Sequence, residues 1–332
     1  MSNTLVTIDM VTREALRIAH EKCQFISTTD RQYDSSFAKT GAKIGASLRV
    51  RKPNQYLRTQ GTRVMDVQEQ DEQTSTVTVA TQDHVDMRFN SAELALSLDE
   101  LSKRYIEPAV SSLVSAIEGD YLAYATKKTY NVVGTAGTAI TDLTAPGLAR
   151  ARLNQMLAPK DRNRAIQMDS VTMAGLVKGV AAYFNPSGAI SEQYREGLVA
   201  RTSMADYYEN ERVWSLTNSG DVTVTTAAAA AVTDGGTNIT LASVGAGDTT
   251  AGMTFTVAGV YACHPETKQS LGYLQPYVVI TGGATTQTVS PATILTGPRQ
   301  NVCSAASAQL ATTAYNGTAV AVTFFGAANT SY

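Results

Sequence analysis

The chain has 332 residues, with 27 lysines and arginines, 29 aspartates and glutamates and a formal net charge of −2. This length allows one large domain or two to three modest domains with a sizeable core. A charge balance so close to neutral provides no basic field that would favour nucleic-acid binding by affinity.

Residues 1–40 are predicted to form an N-terminal arm. One short amphipathic helix, Thr12 to Phe25, carries Leu16, Ala19 and Cys23 on one side, and the polar, turn-rich segment STTDRQYDSSFAKTG follows it. Because the arm has so little apolar surface of its own, we expect it to be either disordered or stabilised by a neighbour.

Residues 41–90 contain two segments of alternating apolar and polar residues, which predicts two strands with one apolar face each. The apolar positions are Ile44, Ala46, Leu48 and Val50 in the first and Val77, Val79, Val85, Met87 and Phe89 in the second. The connection NQYLRTQGTRVMDVQEQDEQ is long and charged, whereas hairpin loops usually have about two to five residues. We therefore predict a protruding antiparallel hairpin. Its apolar face needs a partner surface, because a lone two-stranded hairpin is marginally stable.

Residues 91–132 are dominated by one predicted helix, Ser97 to Tyr130, with Ser97 as N-cap and Gly134 as a stop signal. At about 1.5 Å per residue it would span roughly 50 Å. Pro108 is expected to kink it, and Glu118 and Asp120 are expected to be surface charges. From the pattern alone, a core helix of an ordinary domain remains an equal alternative. The predicted packing stripe, at steps of three or four, comprises Leu98, Leu101, Tyr105, Ala109, Leu113, Ile117, Tyr121 and Tyr124.

Residues 133–214 are predicted to be mixed. LAPKDRNRAIQMDS indicates a loop and a short buried strand, SVTMAGLVKGVAAYF indicates a helix, and SEQYREGLVARTSMADYYENERV indicates another helix and then a loop or strand before Trp214. Residues 215–332 contain only six charged residues and several runs rich in Thr and Val, such as MTFTVAGVY and QPYVVIT. Short strands with frequent turn signals predict a sandwich or barrel-like β domain.

Candidate catalytic and metal-binding residues are few. His20 and Cys23 are too few for a zinc site, which needs about four ligands. His84 is expected to be solvated or interfacial, and His264 a turn residue. We find no nucleophile elbow, zinc-helix motif or phosphate loop, so we expect neither enzymatic activity nor a cofactor. The three cysteines form no disulfide framework, which favours a reducing compartment. The sequence has neither a signal-type N-terminus nor a run of about 18 apolar residues, so we expect no membrane association.

The order of these elements resembles the tailed-phage major capsid proteins of the Hong Kong 97 fold, and more narrowly the coat proteins of the Salmonella podophage P-twenty-two group. The resemblance covers about residues 41–279. It rests on RKPNQYLRTQGTRV with HVDMRFNSAELALSLDELSKRYIEPAVSSLVSAIEGDYLAYA, then on YNVVGTAGT, AYFNPSGAISEQYREG and GMTFTVAGVYACHPETKQSLGYLQPYVV. Family members usually continue well beyond the inserted domain, whereas this sequence stops at Tyr332.

The resemblance implies an α+β chain in five parts: arm 1–40, extended loop 41–90, spine helix of the peripheral domain 91–132, axial domain 133–214 and β-rich inserted domain 215–332, which includes the start of the return to the axial domain. It implies an icosahedral shell made of hexamers and pentamers of this chain. Further implied partners are a scaffolding protein, a portal and packaged double-stranded DNA, with assembly in the host cytoplasm. The charged candidates for contacts between subunits are Arg49, Arg51, Lys52, Arg58, Arg63, Asp66, Glu69, Asp71 and Glu72.

Two alternatives remain open. A tail or surface β protein would explain the weakly charged C-terminal half, but it would not explain the long helix and the hairpin. An enzyme with a scattered site would require a perturbed acid or histidine in a deep pocket, and the sequence offers no candidate for it.

Overall fold

The computed structural model describes residues 8–29, 45–61, 65, 67–69, 72–88, 101–160, 163–180, 205–218, 226–227, 232–241, 249–282, 285–304, 320–327 and 331. It is 30% helical and 29% strand, so the protein is a mixed α and β structure. The chain divides into two compact units. The first unit consists of Met1–Lys52, Glu72–Leu122 and Asn210–Val213, and the second of Pro53–Asp71, Ala123–Glu209 and Trp214–Tyr332.

The helices are numbered here in chain order. They are α1 (Ile8–Lys22), α2 (Phe25–Thr28), α3 (Glu107–Lys128), α4 (Thr144–Gln155) and α5 (Ser170–Val180). Helix α1 begins four residues before the predicted start at Thr12. Helix α4 was not predicted, because TAPGLARARLNQ contains both Pro and Gly. Both fall near its N-terminus, where the missing amide of Pro146 removes no intrahelical hydrogen bond.

Helix α3 continues a π-helical turn, Ser102–Ile106, so the observed helical stretch runs from Leu101 to Lys128. The predicted cap Ser97 and the stripe residue Leu98 lie outside the described residues. Where a kink is expected at Pro108, the helix runs on without interruption, and the amide of Glu107 donates to the carbonyl of Ser102 across the wider turn. A proline clashes with the carbonyl four residues earlier, and a π turn is one way in which a helix accommodates it.

The strands form three sheets. Their bounds are β1 (Ser47–Arg51), β2 (Thr74–Thr78), β3 (Arg164–Met168), β4 (Ala205–Glu209), β5 (Thr226–Ala227), β6 (Gly236–Thr240), β7 (Thr254–Cys263), β8 (Ser270–Thr281), β9 (Thr286–Thr293), β10 (Val302–Cys303) and β11 (Val320–Phe324). The predicted strand before Trp214 is β4, which pairs in parallel with β3. Met168 and Tyr207 from this pair pack with Met173 and Leu176 of α5.

The C-terminal region contains a seven-stranded antiparallel sheet in the order β5-β11-β7-β8-β9-β6, with β10 also pairing β7. The predicted β-rich character of this region is therefore correct. Strand β8 is buried without interruption from Gln275 to Val279, as expected for a central strand with both faces covered. The core of the sheet includes Phe255, Val257, Tyr277, Val279, Ile239 and Val289.

Candidate assembly surface and buried polar contacts

Strands β1 and β2 pair antiparallel, with Leu48 opposite Val77 and Arg49 opposite Thr76. The alternation in the sequence therefore predicts the two faces of this hairpin correctly. The second strand is shorter than predicted, because β2 ends at Thr78 and the predicted strand positions Val85 and Met87 lie in irregular, exposed chain. The ladder gains one charge contact, Arg51 to Glu72 at 3.5 Å, between side chains that are 77% and 57% exposed. Such an exposed pair contributes little to stability.

The apolar face of the hairpin is left largely uncovered. Val77 is 59% exposed, while Leu48 and Val50 on the facing strand are half-buried. The described residues that follow β2 continue this exposed apolar character, with Val85 at 43% and Met87 at 41%. Burying a valine side chain completely is worth about 1.5–3 kcal/mol, so an uncovered strand of this kind favours a partner surface.

The connection between β1 and β2 also exposes large apolar side chains. Tyr56 is 53% exposed, Met65 86% and Val67 78%. Gln68 bridges the connection, since its amide group accepts from the Leu57 amide at 2.8 Å and donates to the Leu57 carbonyl at 2.6 Å.

The charged candidates of the hairpin are exposed wherever the structure describes them. These are Arg49, Arg51, Lys52, Arg58, Glu69 and Glu72. Arg63, Asp66 and Asp71 lie outside the described residues. The described members therefore expose charge along the same stretch of chain that exposes the apolar side chains, and interfaces commonly combine both kinds of residue.

The buried face of the long helix is shifted by one position along the chain relative to the predicted stripe. The buried positions are Leu101, Ser102, Ile106, Val114, Glu118 and Leu122. Of the predicted stripe, Leu101 is buried, and Tyr105, Ala109, Leu113 and Ile117 are intermediate. Tyr121 and Tyr124 are instead exposed, at 39% and 58%. The buried residues follow Ser102 at steps of four. They include Glu118, which a prediction based on apolar residues alone does not place on the buried face.

Glu118 is fully buried, at 0% exposure, so the expectation of a surface charge is wrong for this residue. Its Oε1 accepts a hydrogen bond from the backbone amide of Phe25 at 2.9 Å. Its Oε2 accepts one from Nη1 of Arg212, also at 2.9 Å. Nε of Arg212 donates to the hydroxyl of Ser115, one helical turn away, at 3.0 Å. The carboxylate therefore joins α2, α3 and the 210–213 segment.

This network replaces a helix cap. Helix α2 has Gln24 at its N-cap position, and the Gln24 side chain makes no capping hydrogen bond. The first amides of a helix lack intrahelical acceptors. Glu118 of α3 supplies an acceptor for one of these amides, that of Phe25. The ring of Phe25 packs against Tyr121 with centroids 5.1 Å apart. The α1–α2 region is therefore fixed to α3 by a charge and by an aromatic contact.

The described part of the arm packs on its own chain. Ile18 of α1 forms a buried cluster with Leu101 and Ile106, with Val11 and Ala15 at its edge. Leu16, which was predicted to share one side of the helix with Ala19 and Cys23, is 56% exposed. The observed face includes Glu14, whose carboxylate accepts from Ser102 at 3.1 Å. A hydrogen bond from Arg17 lowers the pKa of Glu14.

The candidate chemical groups take the following places. His264 is a turn residue as predicted, and its Nδ1 accepts from the amides of Glu266 and Thr267, both at 3.2 Å. His84 is exposed and lies 3.4 Å from Asp86. Cys263 and Cys303 are buried free thiols, and burial raises the pKa of Cys263 to about 12. Within the described residues, no group of three or more His, Cys, Asp or Glu side chains is placed to hold a metal ion.

Neither the burial of Glu118 nor its partner Arg212 was predicted from the sequence. One signal was present, since Glu118 lies at a four-residue step between Val114 and Leu122. A charge within an apolar row indicates either a break in the row or a buried ion pair. The partner could not be identified, because Arg212 is 94 residues away in the chain.

Comparison with known proteins adds no identification. No family model matches the chain, and no curated protein matches it significantly. Among the helices that the structure describes, none combines the length and apolar character needed to cross a membrane.

Proposed function

We propose that this protein is a shell-forming structural subunit, the major capsid protein of a tailed phage with the Hong Kong 97 fold. The observation that carries the proposal is the uncovered apolar face of the β1–β2 hairpin, where Val77 remains 59% exposed. In this proposal the face is covered by a second copy of the chain in the hexamers and pentamers of an icosahedral shell. Each closed contact of this kind repeats by symmetry.

The energetic argument depends on repetition. Burying the exposed part of Val77 is worth about 1 kcal/mol per copy, because complete burial of a valine is worth about 1.5–3 kcal/mol. One such contact gives a weak dimer, whereas many copies arranged by symmetry give a stable shell. The charged rim of the hairpin would set the register between copies, since rim charges affect specificity more than affinity.

The other elements support the same proposal. The helical stretch from Leu101 to Lys128 has a length of about 40 Å at 1.5 Å per residue, which suits the spine helix of a thin subunit. The antiparallel C-terminal sheet suits an inserted β domain. The described arm helix is already covered by its own chain, so the proposal depends on the hairpin. The proposal also includes three partners: a scaffolding protein, a portal and packaged double-stranded DNA. It places assembly in the host cytoplasm and the assembled protein in the virion.

A second candidate function is a tail or surface component of a virion. The weakly charged seven-stranded sheet favours it. Negative-stain electron microscopy of the purified chain separates the two candidates. Closed shells, or hexamers and pentamers, support the capsid proposal, whereas tubes, fibres or a persistent monomer at high concentration contradict it.

The role of the hairpin is tested with a pair of matched variants. Val77→Lys places a charge on the apolar face, and Thr78→Lys places the same charge on the next residue, which is exposed and points to the opposite face. Because both sites are exposed, we expect each variant to unfold within about 0.5 kcal/mol of the wild type. We expect Val77→Lys to lose shell formation and Thr78→Lys to keep it.

Deletion of residues 57–72 is a coarser test of the same surface. We expect a soluble subunit that does not form normal shells. Normal, stable shells from this deletion, or from Val77→Lys, would contradict the assigned role of the hairpin.

A further inference from the structure

A second polar cluster, half-buried, lies in the other compact unit, between α4 and β8. The guanidinium of Arg152 is stacked on the ring of Tyr273, with Cζ 3.1 Å from the ring centroid. Arg152 belongs to the last turn of α4, and Tyr273 follows Gly272 near the start of β8. Stacking occupies one face of the planar guanidinium and leaves its N–H edges free to donate.

These donors have no acceptor. Nη1 of Arg152 and the hydroxyl of Tyr273 are both buried, and neither makes a hydrogen bond within the described chain. About 90% or more of buried polar groups in proteins are hydrogen-bonded, so each exception requires an explanation. Nη1 belongs to a charged group, for which a buried position without an acceptor is costly. Because the guanidinium lies on the ring that carries the hydroxyl, a single small acceptor could serve both donors.

The electrostatics of the cluster favour a negatively charged ligand. Burial lowers the pKa of Arg152, opposed only by Tyr273, and no carboxylate of the described residues contributes to it. Burial raises the pKa of Tyr273, while Arg152 lowers it and Tyr130 raises it. Burial also raises the pKa of Tyr130. At neutral pH the cluster therefore consists of one cation and two neutral hydroxyl groups, with no negative charge.

We propose that Arg152 and Tyr273 form a binding site for a small oxyanion, such as inorganic phosphate or a short carboxylate. The edge of the guanidinium donates to two oxygens of the anion, as guanidinium groups do with carboxylates and phosphates, and the Tyr273 hydroxyl donates to a third contact. The buried position of both donors favours a free small ion over a phosphate held in a nucleic-acid backbone. The site is independent of the shell-forming function, since it involves no residue of the hairpin.

Occupancy of this site would stabilise the contact between α4 and β8. An anion that binds only the folded chain stabilises the folded state. At anion concentrations above the dissociation constant, this stabilisation grows with the logarithm of the concentration. The small net charge of the chain, −2, means that such binding would depend on the local donors and not on a long-range field.

The test is isothermal titration calorimetry with sodium phosphate, and separately with sodium acetate, at an ionic strength held constant with sodium chloride. The variants are Arg152→Lys, which keeps the charge but loses the planar fork, and Tyr273→Phe, which keeps the stack but loses the hydroxyl. The matched control is Arg150→Lys on the exposed side of the same helix. Circular dichroism verifies that each variant is folded, and Tyr273→Phe provides the answer if Arg152→Lys does not fold.

We expect phosphate to bind the wild type and Arg150→Lys equally. We expect Arg152→Lys to bind at least about tenfold more weakly, because a charged hydrogen bond is worth about that factor or more, and Tyr273→Phe to bind several-fold more weakly. Acetate binding with the same dependence on variants would identify carboxylate as an accepted ligand. The absence of binding of either anion to the wild type, or equal binding to Arg152→Lys and Arg150→Lys, would overturn the proposal.

Discussion

Removing the Glu118 carboxylate should destabilise the protein strongly, although Glu118 is a charged residue at a helix position that sequence reasoning treats as exposed. Glu118 has 0% exposure and holds both the Phe25 amide and Nη1 of Arg212 at 2.9 Å. Glu118→Ala removes the acceptor of the Phe25 amide and leaves the Arg212 guanidinium, which is 24% exposed, with only its contact to Ser115 among the described residues. Breaking a fully buried pair costs about 3–5 kcal/mol, so we expect a cost near the lower end of that range. Glu118→Gln keeps an acceptor for Phe25 but loses the charge contact, so we expect about 2–3 kcal/mol.

The assay is urea unfolding followed by circular dichroism, with a double-mutant cycle for Glu118→Gln and Arg212→Met. We expect a coupling energy of at least about 1.5 kcal/mol, because the two side chains are in direct contact. Asp120→Asn is the control, since Asp120 is exposed on the same helix and should change stability by less than about 0.5 kcal/mol. Hydrogen exchange gives a local readout: the amide of Phe25 should exchange faster in Glu118→Ala and stay protected in Glu118→Gln.

Two results would refute this reasoning. A coupling energy below about 0.5 kcal/mol would mean that the ion pair contributes no more than an exposed one. Unchanged exchange at Phe25 in Glu118→Ala would mean that the carboxylate does not hold the amide of α2.

Two further predictions concern the second unit. A Cβ at Gly179 would overlap the Thr141 carbonyl oxygen, whereas a Cβ at Gly147 meets no atom within 4 Å. Gly179→Ala should therefore lower the free energy of unfolding by about 1–3 kcal/mol, while Gly147→Ala should raise it by up to about 1 kcal/mol; equal effects in urea titrations would contradict the predicted overlap. Burial raises the pKa of Cys263 from 9.0 to about 12, with the neighbouring Cys303 adding to the shift. Above pH 9 the unfolded chain therefore loses a thiol proton that the folded chain keeps, so stability should fall as the pH rises from about 9 to 12, by at most about 1.4 kcal/mol per pH unit. Cys263→Ala should show a shallower slope, and identical slopes would rule out this contribution.

The hairpin shows which features of a strand the local sequence pattern can predict. The alternation of apolar and polar residues predicted the faces of β1 and β2, because side chains in a strand alternate regardless of what the strand packs on. The same alternation continues to Phe89, yet β2 ends at Thr78. A strand persists only where a partner strand supplies hydrogen bonds, and β1 provides five partners, Ser47 to Arg51. The length of a strand is therefore a property of the pair.

The long helix shows a feature that the local sequence pattern did not predict. Its existence followed from a period of 3.6 residues, but the buried face did not, because the face contains Ser102 and Glu118. A carboxylate is buried only where a partner compensates its charge, and that partner is distant in sequence. Helix α4 and strands β6 and β9 were not predicted either, because their segments are short and contain Pro, Gly or Asn, so that tertiary packing decides their conformation.

By itself, the sequence determined the helical character of the arm and of the long helix, the β1–β2 hairpin, and the β-rich character of the C-terminal region. It also determined the two faces of the hairpin, since the period of the side chains is fixed by backbone geometry. Only the tertiary structure decided which helix face is buried, that Glu118 meets Arg212, and that Arg152 is stacked on Tyr273 without an acceptor. These features join residues far apart in the chain, and the free energy of a buried charge depends on the groups around it and not on its neighbours in the sequence.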